Sequence, residues 1–243
     1  MAKKEGALDK IVEETFLETV KSTFEDNLIS VAIYGSYVSG NFAPGVSDIN
    51  ILILLEKPMA EQIEKLGKAT HRIIRKYKIT PLILTKKEFI SSADVFPMEY
   101  YDIKDRHKIL FGEDETKDLS LTRKNLRHQL EDRLRGNVAS LRQLIIASRG
   151  KSRVLKVYLK NWYGSLGALF RGLLRLKEIS PVPSESKDVI KKINEMFKLD
   201  NEPFLNLLAL RKGEKIDPRQ LVVGLITSLE NLITIVDKMD LGA

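Results

Sequence analysis

Residues Val31–Leu55 read VAIYGSYVSGNFAPGVSDINILILL. The stretch opens on a β-branched apolar run that Gly35 and Ser36 close. A loop holding Gly40, Pro44 and Gly45 follows. Ser47-Asp48-Ile49-Asn50 then enters a second run, INILILL, that is apolar at successive positions. An alternating pattern would mark a strand with one wet face. A continuous one marks a strand covered on both sides, so INILILL is read as a central strand and LISVAIY before it as its buried neighbour.

The pattern extends outward from these two strands. Leu8, Ile11, Val12, Phe16, Val20 and Phe24 recur at helical spacing and predict an amphipathic helix over 8–25. Pro58 starts a helix that runs to about Tyr77. KITPLILT supplies a third strand, and Pro81, which lacks the N–H that a ladder needs, suggests either an edge position or the start of pairing. Residues 96–115 read as an irregular connection with a fourth strand at 107–111. From Leu119 the period becomes helical throughout. Leu126 to Ile145 marks one helix and RVLKVYLKNWYGSLGALFRGLLRL a second. SPVPSES is a break, and helices near 186–198 and over 221–236 follow. The expected fold class is α/β (α+β): a mixed-sheet domain over 1–116, then an all-α helical bundle over 117–243.

Composition narrows the chemistry. The chain has 243 residues and no cysteine, which excludes disulfides, thiolate metal sites and Cys nucleophiles. Its three histidines, His71, His107 and His128, lack zinc-ligand spacing, so any metal would be oxygen-ligated. No uninterrupted apolar run approaches the ~20 residues that span a bilayer, and the N-terminus lacks a signal-peptide core. The expectation is a cytoplasmic protein with no membrane partner. Charge is lopsided: residues 117–177 carry 15 Lys and Arg against Asp118, Glu131 and Asp132. Such a segment reads either as solvated helix faces or as a wall for RNA or another polyanion.

The chemistry concentrates at the first two strands. Gly35 allows close approach to a phosphate and Ser36 adds a hydroxyl, while Asp48, opening the neighbouring strand, offers a carboxylate of the kind Mg²⁺ uses beside phosphate oxygens. An ordinary strand-loop-strand connection whose Asp caps a turn would carry the same residues. Taken together, GSYVSGNFAPGVSDIN resembles the signature of the nucleotidyltransferase superfamily, the polymerase-β-like fold that includes kanamycin-type and minimal nucleotidyltransferases: Gly-Ser, a short spacer, then Asp-x-Asp or Asp-x-Glu entering a strand. The resemblance covers the α/β part, and a helical domain after it is similar to the aminoglycoside-modifying members. It implies a nucleoside triphosphate bound with Mg²⁺ at Gly35, Ser36, Asp48 and Asn50, and transfer of a nucleoside monophosphate to an acceptor.

The chain departs from that pattern at two of three acids. Asn50 stands where the second carboxylate is expected, and ITPLILT, which would bring the third, has none. Each missing unit charge at ~4 Å costs several kcal/mol of attraction to a dication at an effective dielectric near 20. Two-metal catalysis is therefore expected to be impaired, whereas nucleotide binding is not. Glu99 and Asp102 are the acids placed to complete the site as ligand or general base. A nucleotide-sensing protein, or an RNA- or partner-binding module on the same fold, is the alternative reading. GKS at Gly150-Lys151-Ser152 is not a P-loop, since Ile145 stands where a glycine is needed and a helix precedes it. Arg123 and His128 match a ribonuclease spacing that chance supplies readily. Trp162 and Tyr163 are expected to be buried anchors.

Overall fold

A computed structural model describes residues 10–38, 42, 47–179, 182–183, 185–200 and 202–239, with the side chains of 164 and 165 excepted. Residues 8–9 of the first expected helix, most of the loop between the first two strands and part of the SPVPSES break lie outside them. The chain divides into two compact units, Met1–Asp94 with Tyr100–Ser120, and Val95–Glu99 with Leu121–Ala243.

In the first unit a π-helical turn, Ile11–Phe16, leads into α1 (Leu17–Phe24). Strands β1 (Leu28–Tyr34), β2 (Ile49–Leu55), β3 (Ile79–Thr85) and β4 (His107–Phe111) form one mixed sheet in the order β3-β2-β1-β4. β1 is antiparallel to β2 and β4, and β2 is parallel to β3, the two joined by the crossover helix α2 (Ala60–Tyr77). Parallel neighbours need such a crossover, which fixes this connection. Pro81 sits in β3 at the sheet edge, and both alternating sets of β2 side chains are buried, as the uninterrupted apolar run requires. Val12, Phe16, Val20 and Phe24 project from successive helical turns onto Val31, Ile33, Ile49, Ile51, Ile53 and Leu55. Burying one such side chain is worth about 1.5–3 kcal/mol.

The connection expected to be irregular over 96–115 is helical up to its expected strand, and a short helix precedes it. α3 (Lys86–Ser91) begins at a capping box in which the Glu88 N–H donates to Thr85 Oγ1 (3.1 Å) and the Thr85 N–H donates to Glu88 Oε2 (2.7 Å). The Thr85 N–H first, and its hydroxyl second, which donates to the same Glu88 Oε2 (2.9 Å), hold the Glu88 carboxyl below its ordinary range. α4 (Pro97–Asp105) follows, with proline at its first position, where a missing N–H costs nothing. Its hydrophobic face is short and its aromatic pair adjacent, so periodicity alone hides it.

The helical unit contains α5 (Arg123–Ser148), α6 (Ser152–Leu176), α7 (Ser186–Phe197), α8 (Glu202–Lys212) and α9 (Pro218–Asp237). Leu126, Leu130, Leu134, Val138 and Leu141 form the buried stripe of α5, and Leu221, Leu225, Leu229, Leu232 and Val236 that of α9. α8 was hidden because its leucines, Leu205, Leu207, Leu208 and Leu210, do not keep to one face. Trp162 and Tyr163 are buried, with Trp162 Nε1 donating to Asn137 Oδ1 (3.0 Å). Among the described residues α9 is long and apolar enough by length and composition to cross a membrane, although Arg219 and Glu230 interrupt its apolar run. Bundle core helices meet the same test, and Glu230 near its middle pairs with Arg142 of α5.

Candidate functional site

β1 delivers its last residue, Tyr34, directly opposite Asn50 of β2. The next residue, Gly35, has φ +82°, a backbone that L side chains rarely adopt, and opens a 3₁₀ turn over Gly35–Tyr37. A Cβ added to Gly35 would lie 3.2 Å from Asn50 Nδ2. The Gly35 backbone therefore lies close to the Asn50 amide: the dihedral favours glycine, and a Cβ would require the Asn50 side chain to give by a few tenths of an ångström. The Gly35 N–H is donated to the Arg106 carbonyl (3.0 Å), just before β4. Gly35 thus contributes shape rather than an N–H to any ligand, a point the sequence left open.

Asp48 precedes β2 by one residue and is exposed, whereas Ile49 between it and Asn50 is fully buried. Strand alternation puts Asp48 and Asn50 on the same side. Neither side chain has a hydrogen-bond or ion-pair partner among the described residues. The half-buried Asn50 amide thus has its donors and acceptor open to solvent or to a ligand. Tyr37 packs edge-on against Phe42 (5.0 Å between centroids), which anchors the start of the connecting loop.

The register identifies further residues that the sequence could not. Thr80 lies beside Asn50 on β3, and His107 beside Tyr34 on β4, so one row across the sheet reads Thr80, Asn50, Tyr34, His107. Thr80 is exposed and occupies the β3 position nearest the Asn50 amide. The parallel crossover is legible from the helix between the strands, but not its register. His107 Nδ1 bonds the Ile103 carbonyl (2.9 Å) and its Nε2 meets Asp114 Oδ1 (3.2 Å). Burial pushes the Asp114 carboxyl up, but the Thr116 hydroxyl and N–H, together with His107, outweigh it and hold the group below its ordinary value. A depressed carboxyl stabilises the fold above its unfolded value, ~4, and loses that contribution as pH falls through the folded value. Urea midpoints of the wild type should therefore fall between pH 6 and pH 3 by more than those of Asp114→Asn. Equal slopes would show that the contact is energetically silent.

Of the two acids expected to complete the site, Glu99 groups with the helical unit. Its Oε2 accepts from Gln129 Nε2 (2.7 Å) and its Oε1 lies 3.6 Å from the Arg133 guanidinium. Asp102, on the same helix α4, groups with the α/β unit and is half-buried. Among the described residues no set of three or more His, Asp or Glu converges as a metal cage. The basic segment is partly self-neutralised: Arg127 and Arg135 pair with Glu131, and Arg123 bonds the Leu176 carbonyl and Glu178.

Comparison with known proteins places this geometry. Residues 13–110 match the family described as Nucleotidyltransferase domain. No curated protein matches the sequence significantly. Among solved structures, the spectinomycin adenyltransferase of Enterococcus faecialis, determined with ATP and spectinomycin, superposes with a TM-score of 0.54 at 14% identity, over 90% of this chain and 98% of that one. That likeness is one of fold. The mixed sheet followed by a helical region is the nucleotidyltransferase arrangement, and the family match supports nucleotidyl transfer at the level of the superfamily.

Proposed function

We propose, for a chain that belongs to the nucleotidyltransferase superfamily through its residues 13–110, that the Gly35–Asn50 junction binds a nucleoside triphosphate with Mg²⁺ and that transfer of the nucleoside monophosphate from it is weak. The observation that carries the reading is the close approach between the left-handed Gly35 and the unspent Asn50 amide, beside the exposed Asp48. Ser36 directs its hydroxyl to the triphosphate, and Asn50 serves as a neutral ligand or phosphate donor. Asp48 is the one carboxylate of this junction.

The donor set fits a cation that arrives already chelated by phosphates, because Mg²⁺ commonly takes only one or two carboxylates from protein and completes its shell with phosphate and water. Asp48 and Asn50 would hold it, and when bound it would neutralise charge on the triphosphate. Asp102 and Glu99 are the acids proposed to take the acceptor proton. Glu99 must first leave Gln129 and Arg133, which favours Asp102. The second reading is a nucleotide sensor without turnover. The absence of any acid along the row Thr80, Asn50, Tyr34, His107 favours it.

Calorimetric titration with ATP, GTP, CTP and UTP in Mg²⁺ tests the shared premise. At least one should bind below millimolar. Ser36→Ala should weaken it about tenfold, as expected for a hydrogen bond to a charged group worth 1.5–3 kcal/mol. Absence of binding with all four, together with an unaltered Ser36→Ala profile, would remove the nucleotide from the proposal.

A further inference from the structure

A groove runs along the seam between α5 and α6, built from two adjoining cavities of about 510 and 590 Å³ that share Ser140. One end is lined by Glu99, Asp132 and Arg133, the other by Arg153, Val154, Val157 and Tyr158. Between Asp132 and Ala147 along α5 the span is about 22 Å at 1.5 Å per residue.

Three observations indicate that this seam is unfinished as a piece of bundle. First, Val154, Val157 and Tyr158 are 44%, 59% and 38% exposed, although their spacing puts them on one strip of α6. Leaving such side chains in water forfeits the burial that the rest of the helix obtains. Second, Gly136 lies in the middle of α5 lining the groove, where a Cβ would meet nothing within 4 Å. A mid-helix glycine costs about 1 kcal/mol relative to alanine, and no packing contact among the described residues requires it. Third, Asp132 faces the groove without an ion-pair partner among the described residues, while Glu131 beside it takes both Arg127 and Arg135.

The charges decide what would fit. The 45 residues from Arg133 to Lys177 contain no acid and 11 Lys and Arg. A second copy laid groove to groove in parallel would set like-charged ends against each other, and one laid antiparallel would set the apolar strip Val154, Val157 and Tyr158 against Asp132 and Glu99. A nucleic acid would meet the exposed apolar strip Val154, Val157 and Tyr158 at one end of its contact and Asp132 with Glu99 at the other. We propose that the groove receives an amphipathic helix of a partner protein, of about four turns, as the missing member of the helical layer. Its apolar stripe covers Val154, Val157 and Tyr158. Its C-terminal turn, acidic and at the negative end of its dipole, lies over Arg153, and a basic first turn lies over Asp132.

The probe is a fluorescein-labelled 18-residue synthetic helix with leucines at i, i+3, i+4 and i+7 spacing, lysines in its first turn and glutamates in its last. A control isomer has those end charges exchanged. Fluorescence anisotropy against the full chain should show the first binding at least about tenfold more tightly than the second. Val157→Asp should abolish binding of the first, with an unchanged circular-dichroism melt showing that the bundle still folds. The double change Arg153→Glu with Asp132→Lys should invert the preference between isomers. Equal affinity for the two isomers, or no binding of either, overturns the proposal. So does a labelled single-stranded RNA that binds more tightly than both, loses affinity in Arg153→Glu and is indifferent to Val157→Asp.

Discussion

Asn50→Asp should raise Mg²⁺-dependent pyrophosphate release by about two orders of magnitude or more, and Asp48→Ala should abolish what the wild type has. A unit charge ~4 Å from a dication is worth several kcal/mol at an effective dielectric near 20, and each 1.36 kcal/mol is tenfold in rate. Asp48 is exposed and Asn50 half-buried, so solvent takes back part of that gain, which leaves the lower figure. The substitution is isosteric, so the carboxylate fits beside Gly35, which carries no Cβ, as the amide does. The row across the sheet adds a second step: Thr80→Asp in the Asn50→Asp background places a carboxylate on β3 beside the new one and should raise the rate again. Without Mg²⁺ the same variants should be less stable than wild type, because like charges are then uncompensated. The assay is pyrophosphate release with a panel of hydroxyl acceptors, paired with calorimetry of ATP binding at varied Mg²⁺, which needs no acceptor. If Asn50→Asp leaves both the rate and the Mg²⁺ dependence of binding unaltered, Asn50 does not occupy a ligand position and the degeneracy lies elsewhere.

Gly112→Ala should destabilise the α/β unit by about 3 kcal/mol or more. Gly112 has φ +75°, which alone costs a side-chain-bearing residue about 1–3 kcal/mol. Its added Cβ would lie 2.1 Å from the Ile29 carbonyl oxygen and 3.0 Å from Ser30 Cα, both backbone, so no rotamer change relieves the clash. The contact falls where β1 is already irregular and where Ser30 Oγ donates to the Glu113 carbonyl (2.8 Å), so the end of β4 must move away from β1. The other end of β4 begins just after Arg106, whose carbonyl holds the Gly35 N–H, so nucleotide affinity should fall with stability. Gly150→Ala is the control. It shares a positive φ (+69°) but would meet nothing within 4 Å, so it should cost only about 1 kcal/mol. Urea denaturation measures both, and a Gly112→Ala midpoint equal to that of Gly150→Ala would mean that the β4 turn relaxes freely.

Much of the α/β unit follows from local pattern. INILILL is apolar at every alternating position except Asn50, and only a strand covered on both sides satisfies that, so its central place was legible. Pro81 likewise suggested an edge or the start of pairing. The helices α3, α4 and α8 were not legible. α3 is set by one reciprocal cap at Thr85 and Glu88, α4 has a short apolar face, and α8 spreads its leucines around the axis. A cap is a local bond outside any apolar period, and for α4 and α8 packing against neighbours, which periodicity does not encode, supplies the stabilisation.

By itself the sequence determined the composition of the candidate site: a Gly-Ser turn, one carboxylate at Asp48 and an amide at Asn50, with no acid on the third strand. It did so because strand alternation and glycine's backbone freedom are local properties. The tertiary structure alone decided which atoms meet. Pairing register, set by contacts between residues far apart in the chain, put Tyr34 opposite Asn50, Thr80 beside it and the Arg106 carbonyl on the Gly35 N–H. It also tied the Glu99 carboxylate to Gln129 and Arg133, a commitment that sequence spacing cannot reveal because those partners lie 30 or more residues further along the chain.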